Sequence, residues 1–200
     1  MRNKFDMQLE CLSEQLIHMG ELCEVAINRA TTALQHGSME EAREVIRADE
    51  EIDQIEKDIE RLCLKLLLQQ QPVARDLRQI SAALKMITDM ERIGDQASDI
   101  AEIIISEKKS EGAEIPKIGK MSEAVAKMVR DSVTAYVKRD LELSRKVMEA
   151  DDAVDQLFEE NKIIDLIMVA KYLERIGDHA TNIAEWVEFS ITGIHKESQV

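Results

Sequence analysis

The sequence predicts an all-α protein made of two tandem antiparallel three-helix bundles related by internal duplication. Its 200 residues include only seven glycines, two prolines and 3% aromatic residues, which leaves little material for hairpins or β-sandwiches. Apolar residues recur at steps of three and four over long stretches, the spacing typical of amphipathic helices. Motifs of the first half also return in the second half.

The first predicted helix carries an apolar stripe over residues 5–33, and Gly37 ends it. Ser38 and Glu41 have the spacing of a capping box, which predicts the start of a second helix at this point. That helix runs up to Pro72, because proline cannot continue a helix.

A third apolar stripe covers residues 77–105 and gives way to the polar segment 107–112. Three helices joined by short connections predict an antiparallel bundle. We therefore assign the first repeat to residues 1–110 and the second repeat to residues 111–200.

The duplication is visible in two pairs of matching segments. Residues 48–55 match residues 150–157 at an offset of 102, and Asp140 then falls where it can cap a helix. Residues 91–102 match residues 174–185 at an offset of 83, with nine identities in twelve positions. A fixed offset of this kind is hard to obtain by chance.

The change of offset leaves about 19 residues of the first copy, roughly residues 60–78, without a counterpart in the second. If the chain were continuous at residues 161–162, the last two helices would fuse into one rod and could not close a bundle. We therefore expect a hairpin of about 19 residues to be missing near residues 161–162.

The net charge of −14, from 26 basic and 40 acidic residues, disfavours binding to nucleic acid or to anionic lipid. No apolar stretch approaches the roughly 20 residues that a bilayer crossing needs, and the start lacks the apolar region of a secretory signal. We expect a cytoplasmic protein. Cys11, Cys23 and Cys63 form no metal or disulfide pattern and are interpreted as reduced core residues.

Paired carboxylates occupy equivalent positions in both copies. Within each copy two pairs of acids stand four residues apart, so each pair lies on one helix face. Asp49 and Glu91 also fall on apolar stripes, so we expect them to point inward or into a groove. The eight candidate metal ligands are Asp49, Asp53, Glu91, Asp95, Asp151, Asp155, Glu174 and Asp178. An all-oxygen set favours Mg²⁺, Ca²⁺, Mn²⁺ or iron, although Fe, Mn, Mg and Zn are not told apart by sequence.

A second interpretation is that these acids form a solvated face or pair with lysines and arginines of another helix. Arg92 and Arg175 are expected to serve another helix, because each adjoins the preceding glutamate and adjacent residues do not face each other. Close helix packing is the preferred explanation for Gly94 and Gly177. His179 is expected to be an ordinary polar residue, since its counterpart is Gln96.

The sequence gives no sign of an enzyme. It contains no phosphate-binding loop, no nucleophile elbow, no H-E-x-x-H and no dinucleotide fingerprint. The Glu-x-x-His motif of di-iron bundles is also missing, because glycine follows at the required position in both copies.

The doubled sequence E-R-I-G-D-x-A-[ST]-[DN]-I-A-E, at residues 91–102 and 174–185, closely resembles the PhoU family. A-D-[ED]-x-[IV]-D-Q from Ala48 and Ala150, and the segment at residues 71–78, share this resemblance. The resemblance implies two tandem three-helix bundles and a cytoplasmic regulator of phosphate uptake that represses the phosphate-starvation response. It also implies that the chain is an adaptor. Its implied partners are the sensor histidine kinase of the phosphate regulon, the ATPase of the phosphate ABC transporter and a second copy of the chain.

Some members of that family carry multinuclear iron or other metals on paired [ED]-x-x-x-D motifs, which map onto the eight acids named above. Asn182 stands where the first copy has Asp99, and the second copy lacks the proline turn. The resemblance therefore implies a metal-binding adaptor. A metal-free helical scaffold and a bimetallic bundle enzyme are the other interpretations.

Overall fold

The structure is a computed structural model that describes residues 2–70, 72–107, 116–160 and 166–194. Within these ranges it contains six α-helices and no β-strand, which confirms the predicted all-α class. The helices are α1 (Arg2–His36), α2 (Met39–Gln70), α3 (Ala74–Glu107), α4 (Pro116–Lys138), α5 (Leu141–Glu160) and α6 (Ile167–Thr192).

Two three-helix bundles form, as predicted. Helices α1, α2 and α3 contact one another, and α4, α5 and α6 do the same. Among the described residues α2 and α5 touch only the helices of their own bundle, so they are the outer helices. The predicted boundary at residues 110–111 lies outside the described ranges.

The bundles pack against each other through α3 with α6 and α1 with α4. Gly20 lies against Val133, and the hydroxyl of buried Thr31 donates to Ser122 Oγ at 2.7 Å, so α1 and α4 run antiparallel. A single hydrophobic core extends through both bundles. Close packing of this shared core fixes where the outer helices stand.

The first turn of each bundle is built in the same way. Gly37 and Arg139 both adopt a left-handed backbone, with φ of 64° and 55°. Ser38 Oγ then accepts a bond from the Glu41 amide at 3.3 Å, and Asp140 Oδ1 accepts one from the Leu143 amide at 2.9 Å. Both residues cap their helices as predicted, but the returning bond of the capping box at Ser38 is not formed. The Ser38 amide donates to the Ala33 carbonyl at 3.0 Å, and Oε2 of Glu41 has no hydrogen-bond partner.

The second bundle is the shorter one in the described residues. Helix α5 has 20 residues against 32 in α2, and α6 has 26 against 34 in α3. Helices α5 and α6 are separate and pack side by side, so they do not fuse into a rod. The hairpin expected near residues 161–162 falls outside the described part of the chain.

The prediction for the cysteines is right for two of them and wrong for the third. Cys23 and Cys63 are buried and reduced, whereas Cys11 is reduced but exposed. Cys11 immediately precedes Leu12 of the apolar stripe, and one residue rotates a helix by about 100°, which turns its side chain away from the core.

Candidate functional site

Four of the predicted acids meet where α2 packs on α3, and we call them the first acidic cluster. Asp49 and Asp53 come from α2, and Glu91 and Asp95 come from α3. All four are partly buried. The Oδ1 atom of Asp49 is buried without a hydrogen-bond partner. The predicted inward placement of Asp49 and Glu91 is therefore seen.

Burial, and after it the charges of Asp95, Asp53 and Glu91, together raise the pKa of Asp49 from 3.8 to about 6. The pKa of Glu91 is also raised, first by burial and then by Asp95. Crowding of this kind disfavours the ionised forms of Asp49 and Glu91. The cluster would therefore be stabilised by a proton or by another cation.

Gly94 is the reason that α2 can approach α3 so closely. A Cβ atom at this position would lie 2.7 Å from Oδ1 of Asp49 and 3.0 Å from Cδ1 of Ile52. In the second copy, a Cβ on Gly177 would lie 3.3 Å from Cγ1 of Val154 and 3.4 Å from Oδ1 of Asp151. The prediction of close helix packing is confirmed, and at Gly94 the carboxylate itself is the neighbour.

The first acidic cluster is larger than the sequence indicated. Glu56 of α2 is partly buried, and burial, Glu60 and Asp53 raise its pKa. Asp99 of α3 continues the four-residue spacing from Asp95, and its pKa is raised by burial, Glu102 and Asp95. The spacing of Asp53 with Glu56 was the signal that could have added Glu56 to the predicted set.

The second acidic cluster, Asp151, Asp155, Glu174 and Asp178, lies between α5 and α6 and is more open. Burial, and after it the charges of Asp178 and Asp155, together raise the pKa of Asp151 to about 6. However, Asp155 and Asp178 are exposed. Glu174 is paired with Lys171. The acids of the second cluster are therefore more exposed to solvent than those of the first.

The donor chemistry of the first acidic cluster fits an oxygen-preferring cation, and the unpartnered Oδ1 of Asp49 is a free ligand atom. Within the described ranges, though, no three His, Cys, Asp or Glu side chains converge closely enough to hold a metal ion. The helices thus bring the acids near one another without building a finished coordination shell.

The prediction that Arg92 would not meet the glutamate before it is wrong. Its Nε lies 3.5 Å from Oε2 of Glu91, and its Nη1 donates to Oδ2 of Asp95 at 3.1 Å. The long arginine side chain folds back along the helix surface, which the rule for adjacent residues does not forbid. Arg92 is mostly exposed, so these pairs contribute little stability.

Other basic residues account for part of the acidic surface. Nζ of Lys57 lies 3.9 Å from Oδ2 of Asp53. The charge of Arg175 of α6 lowers the pKa of Asp99, against the larger effects of burial and nearby acids, while its guanidinium lies 5.9 Å from the centroid of the Tyr172 ring on its own helix. Within the described residues, Asp49 and Asp151 form no ion pair.

His179 is a polar contact between the bundles, in agreement with its predicted role. Its Nδ1 lies 2.9 Å from Oδ1 of Asp89, and the same oxygen accepts a bond from Asn182 Nδ2 at 3.1 Å. The duplication does not mark Asp89 as a candidate, because the equivalent position in the second copy is Tyr172 and carries no carboxylate. It could be found only from the packing of α3 on α6.

No helix in the described ranges combines the length and the apolar character that crossing a membrane requires.

The chain is similar to proteins of known family along nearly its whole length. The PhoU domain family matches residues 16–104 and 118–187, one match in each bundle. A phosphate-specific transport system accessory protein PhoU homolog of Clostridium acetobutylicum is 37% identical over 96% of this chain and 96% of that protein. Another, of Aquifex aeolicus, is 43% identical over 78% of this chain and 71% of its own.

Solved structures agree with this relationship. The crystal structure of PhoU from Pseudomonas aeruginosa superposes with a TM-score of 0.87 at 32% identity and covers 95% of this chain and 100% of that one. The phosphate transport system regulatory protein PhoU from Streptococcus pneumoniae has the same TM-score at 24% identity, over 96% and 99% of the two chains, which supports the fold. The matches in both bundles and the similarity over the full length show that this chain belongs to the PhoU family.

Proposed function

We propose that this chain is a cytoplasmic regulator of phosphate homeostasis. It represses the phosphate-starvation two-component response when phosphate is plentiful and modulates high-affinity uptake by a phosphate ABC transporter. The observation that carries this proposal is the similarity to accessory proteins of phosphate-specific transport, which spans 96% of this chain and 96% of the relative.

The chain acts as an adaptor, with the sensor histidine kinase of the phosphate regulon and the transporter ATPase as partners and a homodimer as its assembled form. The architecture supports this role. The outer helices α2 and α5 each contact only two other helices among the described residues, so each has a face directed away from the core. Such faces suit docking of proteins, since the shared core does not depend on them.

Metal binding is the proposed means of regulation. Asp49, Asp53, Glu91 and Asp95 would hold an ion in the first bundle, and Asp151, Asp155, Glu174 and Asp178 would hold one in the second. A divalent or iron-type ion would supply positive charge that offsets the repulsion between the carboxylates. Such an ion would hold α2 close to α3, which would stabilise one packing of the outer helix and change the face it offers to partners.

A pull-down of the full chain from phosphate-replete cells tests the adaptor role. We expect it to recover the sensor kinase and the transporter ATPase. Recovery of neither would contradict the proposal. Deleting the gene should also switch on a phosphate-starvation reporter in rich medium, and a silent reporter would count against repression.

A metal-free helical scaffold is the second candidate, because Lys57, Arg92 and Lys171 already contact four of the eight acids. In that case the role of the remaining acids would be to keep the protein soluble through its net negative charge. Titration of metal-free protein with Mg²⁺, Mn²⁺ and Fe²⁺ separates the two candidates, since a scaffold gives no saturable binding.

A further inference from the structure

Three arginines come together where α3 begins and where α4 and α6 end. Arg75 and Arg78 lie in the first turns of α3, and Arg139 directly follows α4. The Tyr136 hydroxyl donates to the carbonyl of Gln79 at 2.9 Å, which holds the end of α4 against the start of α3. We call Arg75, Arg78 and Arg139 the arginine junction.

The end of α6 closes the arginine junction on its other side. A Cβ on Gly193, the residue that caps α6, would lie 3.5 Å from Nε of Arg78. Nε of Arg78 is buried and makes no hydrogen bond. This side chain is therefore packed in place with part of its donor capacity unused.

The junction is unusual in a chain with 40 acids and 26 bases. Other arginines of the same chain find carboxylates: Arg130 pairs with Glu24 and Arg145 with Glu188. Across the described ranges, the three arginines of the junction have no ion pair. The charge of Asp76 acts against the repulsion that Arg139 receives from Arg75 and Arg78.

The local electrostatics point the same way. Burial lowers the pKa of Arg139 below its ordinary value, and the charges of Arg75 and Arg78 lower it further. The helix dipoles of α4 and α6 favour a cation at their C-terminal ends, whereas the dipole of α3 favours an anion at its N-terminal end. Two of the three arginines lie at that N-terminal end of α3. The junction as a whole therefore carries more positive than negative charge.

We propose that the arginine junction is a binding site for a phosphate-type oxyanion. A guanidinium group can donate two parallel hydrogen bonds to the oxygens of a phosphate. A doubly charged anion can accept such bonds from several guanidinium groups and neutralise their charge. The Ala74 and Arg75 amides at the start of α3 add donors of the kind that phosphates accept, whereas the Asp76 and Leu77 amides already donate to the Val73 carbonyl. This proposal concerns a different place from the acidic clusters, and it stands whether or not they bind metal.

Calorimetric titration with inorganic phosphate at constant ionic strength tests the site. Wild-type protein should bind phosphate saturably, and the Arg75→Gln/Arg139→Gln variant should bind it on the order of tenfold more weakly or worse. Arg43→Gln/Arg47→Gln removes the same charge from exposed sites on α2 and should bind like wild type. Tighter binding of phosphoserine than of inorganic phosphate would support the same site with a phosphorylated side chain as the source.

Absence of saturable phosphate binding to wild type, or equal binding by the junction variant, would overturn the proposal. Thermal unfolding without phosphate gives a second readout. Removing mutually repelling charges should raise the melting temperature, whereas a role limited to capping α4 would lower it. If the double variant fails to fold, the exposed Arg75→Gln alone should still weaken phosphate binding.

Discussion

At the scale of one residue, Asp49 is a partly buried carboxylate that the fold leaves without a partner. Its Oδ1 is buried and unpartnered, and it occupies the space that a Cβ atom on Gly94 would need. A residue in this state lowers the stability of the protein by itself. Its retention in a strongly helical segment is most simply explained by a partner that arrives from outside, either a proton or a metal ion.

The raised pKa of Asp49 and Asp151, from 3.8 to about 6, has a definite sign for stability. The folded state binds these protons more tightly than the unfolded state, so stability falls as pH rises from about 4 through about 6. Asp49→Asn should therefore stabilise the protein at pH 7 by about 1–2 kcal/mol, allowing for solvent screening of a partly buried group. It should have little effect at pH 4.

Urea unfolding at both pH values checks this prediction, with Glu50→Gln as the exposed neighbouring control. A loss of stability at pH 7 in Asp49→Asn would contradict it.

Gly94 and Gly177 should respond differently to alanine. At Gly94 the new Cβ meets atoms at 2.7 Å and 3.0 Å, so Gly94→Ala should cost about 1–2 kcal/mol even after the gain in helix propensity. At Gly177 the nearest atoms lie at 3.3 Å and 3.4 Å, so the net change in unfolding free energy should be smaller.

The double variant Asp49→Ala/Gly94→Ala isolates the carboxylate contact. It should recover part of the loss seen in Gly94→Ala, as a double-mutant cycle measured by urea unfolding would show. A larger cost at Gly177 than at Gly94 would refute this account of the two sites.

At the scale of helices, the six helices and their two bundles were predictable, and the contacts between the bundles were not. The spacing of apolar residues, the glycines and the cap residues predict the helices, and the structure confirms Ser38 and Asp140 as caps. Contacts between helices depend on packing that no local pattern encodes. This is why no sequence signal marks Asp89, which contacts His179 across the bundles. Glu56, by contrast, stands three residues after Asp53, a spacing that places both on one helix face.

The caps lead to a prediction about helix stability. Ser38→Ala and Asp140→Ala each remove an acceptor from the first turn of a helix, at 3.3 Å and 2.9 Å from the amides they serve. Each should lower the free energy of unfolding by about 1 kcal/mol. Exposed Glu40→Ala is the control.

The whole molecule behaves as one unit if the shared core couples the bundles. Ser38 and Asp140 lie in different bundles, so their effects should add in the double variant, and unfolding should stay a single transition by calorimetry. Two separate transitions, each sensitive to only one cap, would show that the bundles unfold independently and would contradict the shared core.

The two copies differ at this scale as well. The first acidic cluster is partly buried and gathers additional acids, whereas Asp155 and Asp178 of the second are exposed and Glu174 is paired with Lys171. The sequence predicted equal clusters because the motifs are equal. The difference arises from neighbours outside the motif, such as Lys171, and it makes the first cluster the stronger candidate for cation binding.

Titration of metal-free protein with Mn²⁺ by isothermal calorimetry tests the central claim, that positive charge relieves the crowded acids between the helices. Wild type and the exposed control Glu50→Ala/Glu51→Ala should bind Mn²⁺ saturably, and Glu91→Ala/Asp95→Ala should lose the tighter binding. No saturable binding by wild type, or identical binding by the Glu91→Ala/Asp95→Ala variant, would contradict the claim.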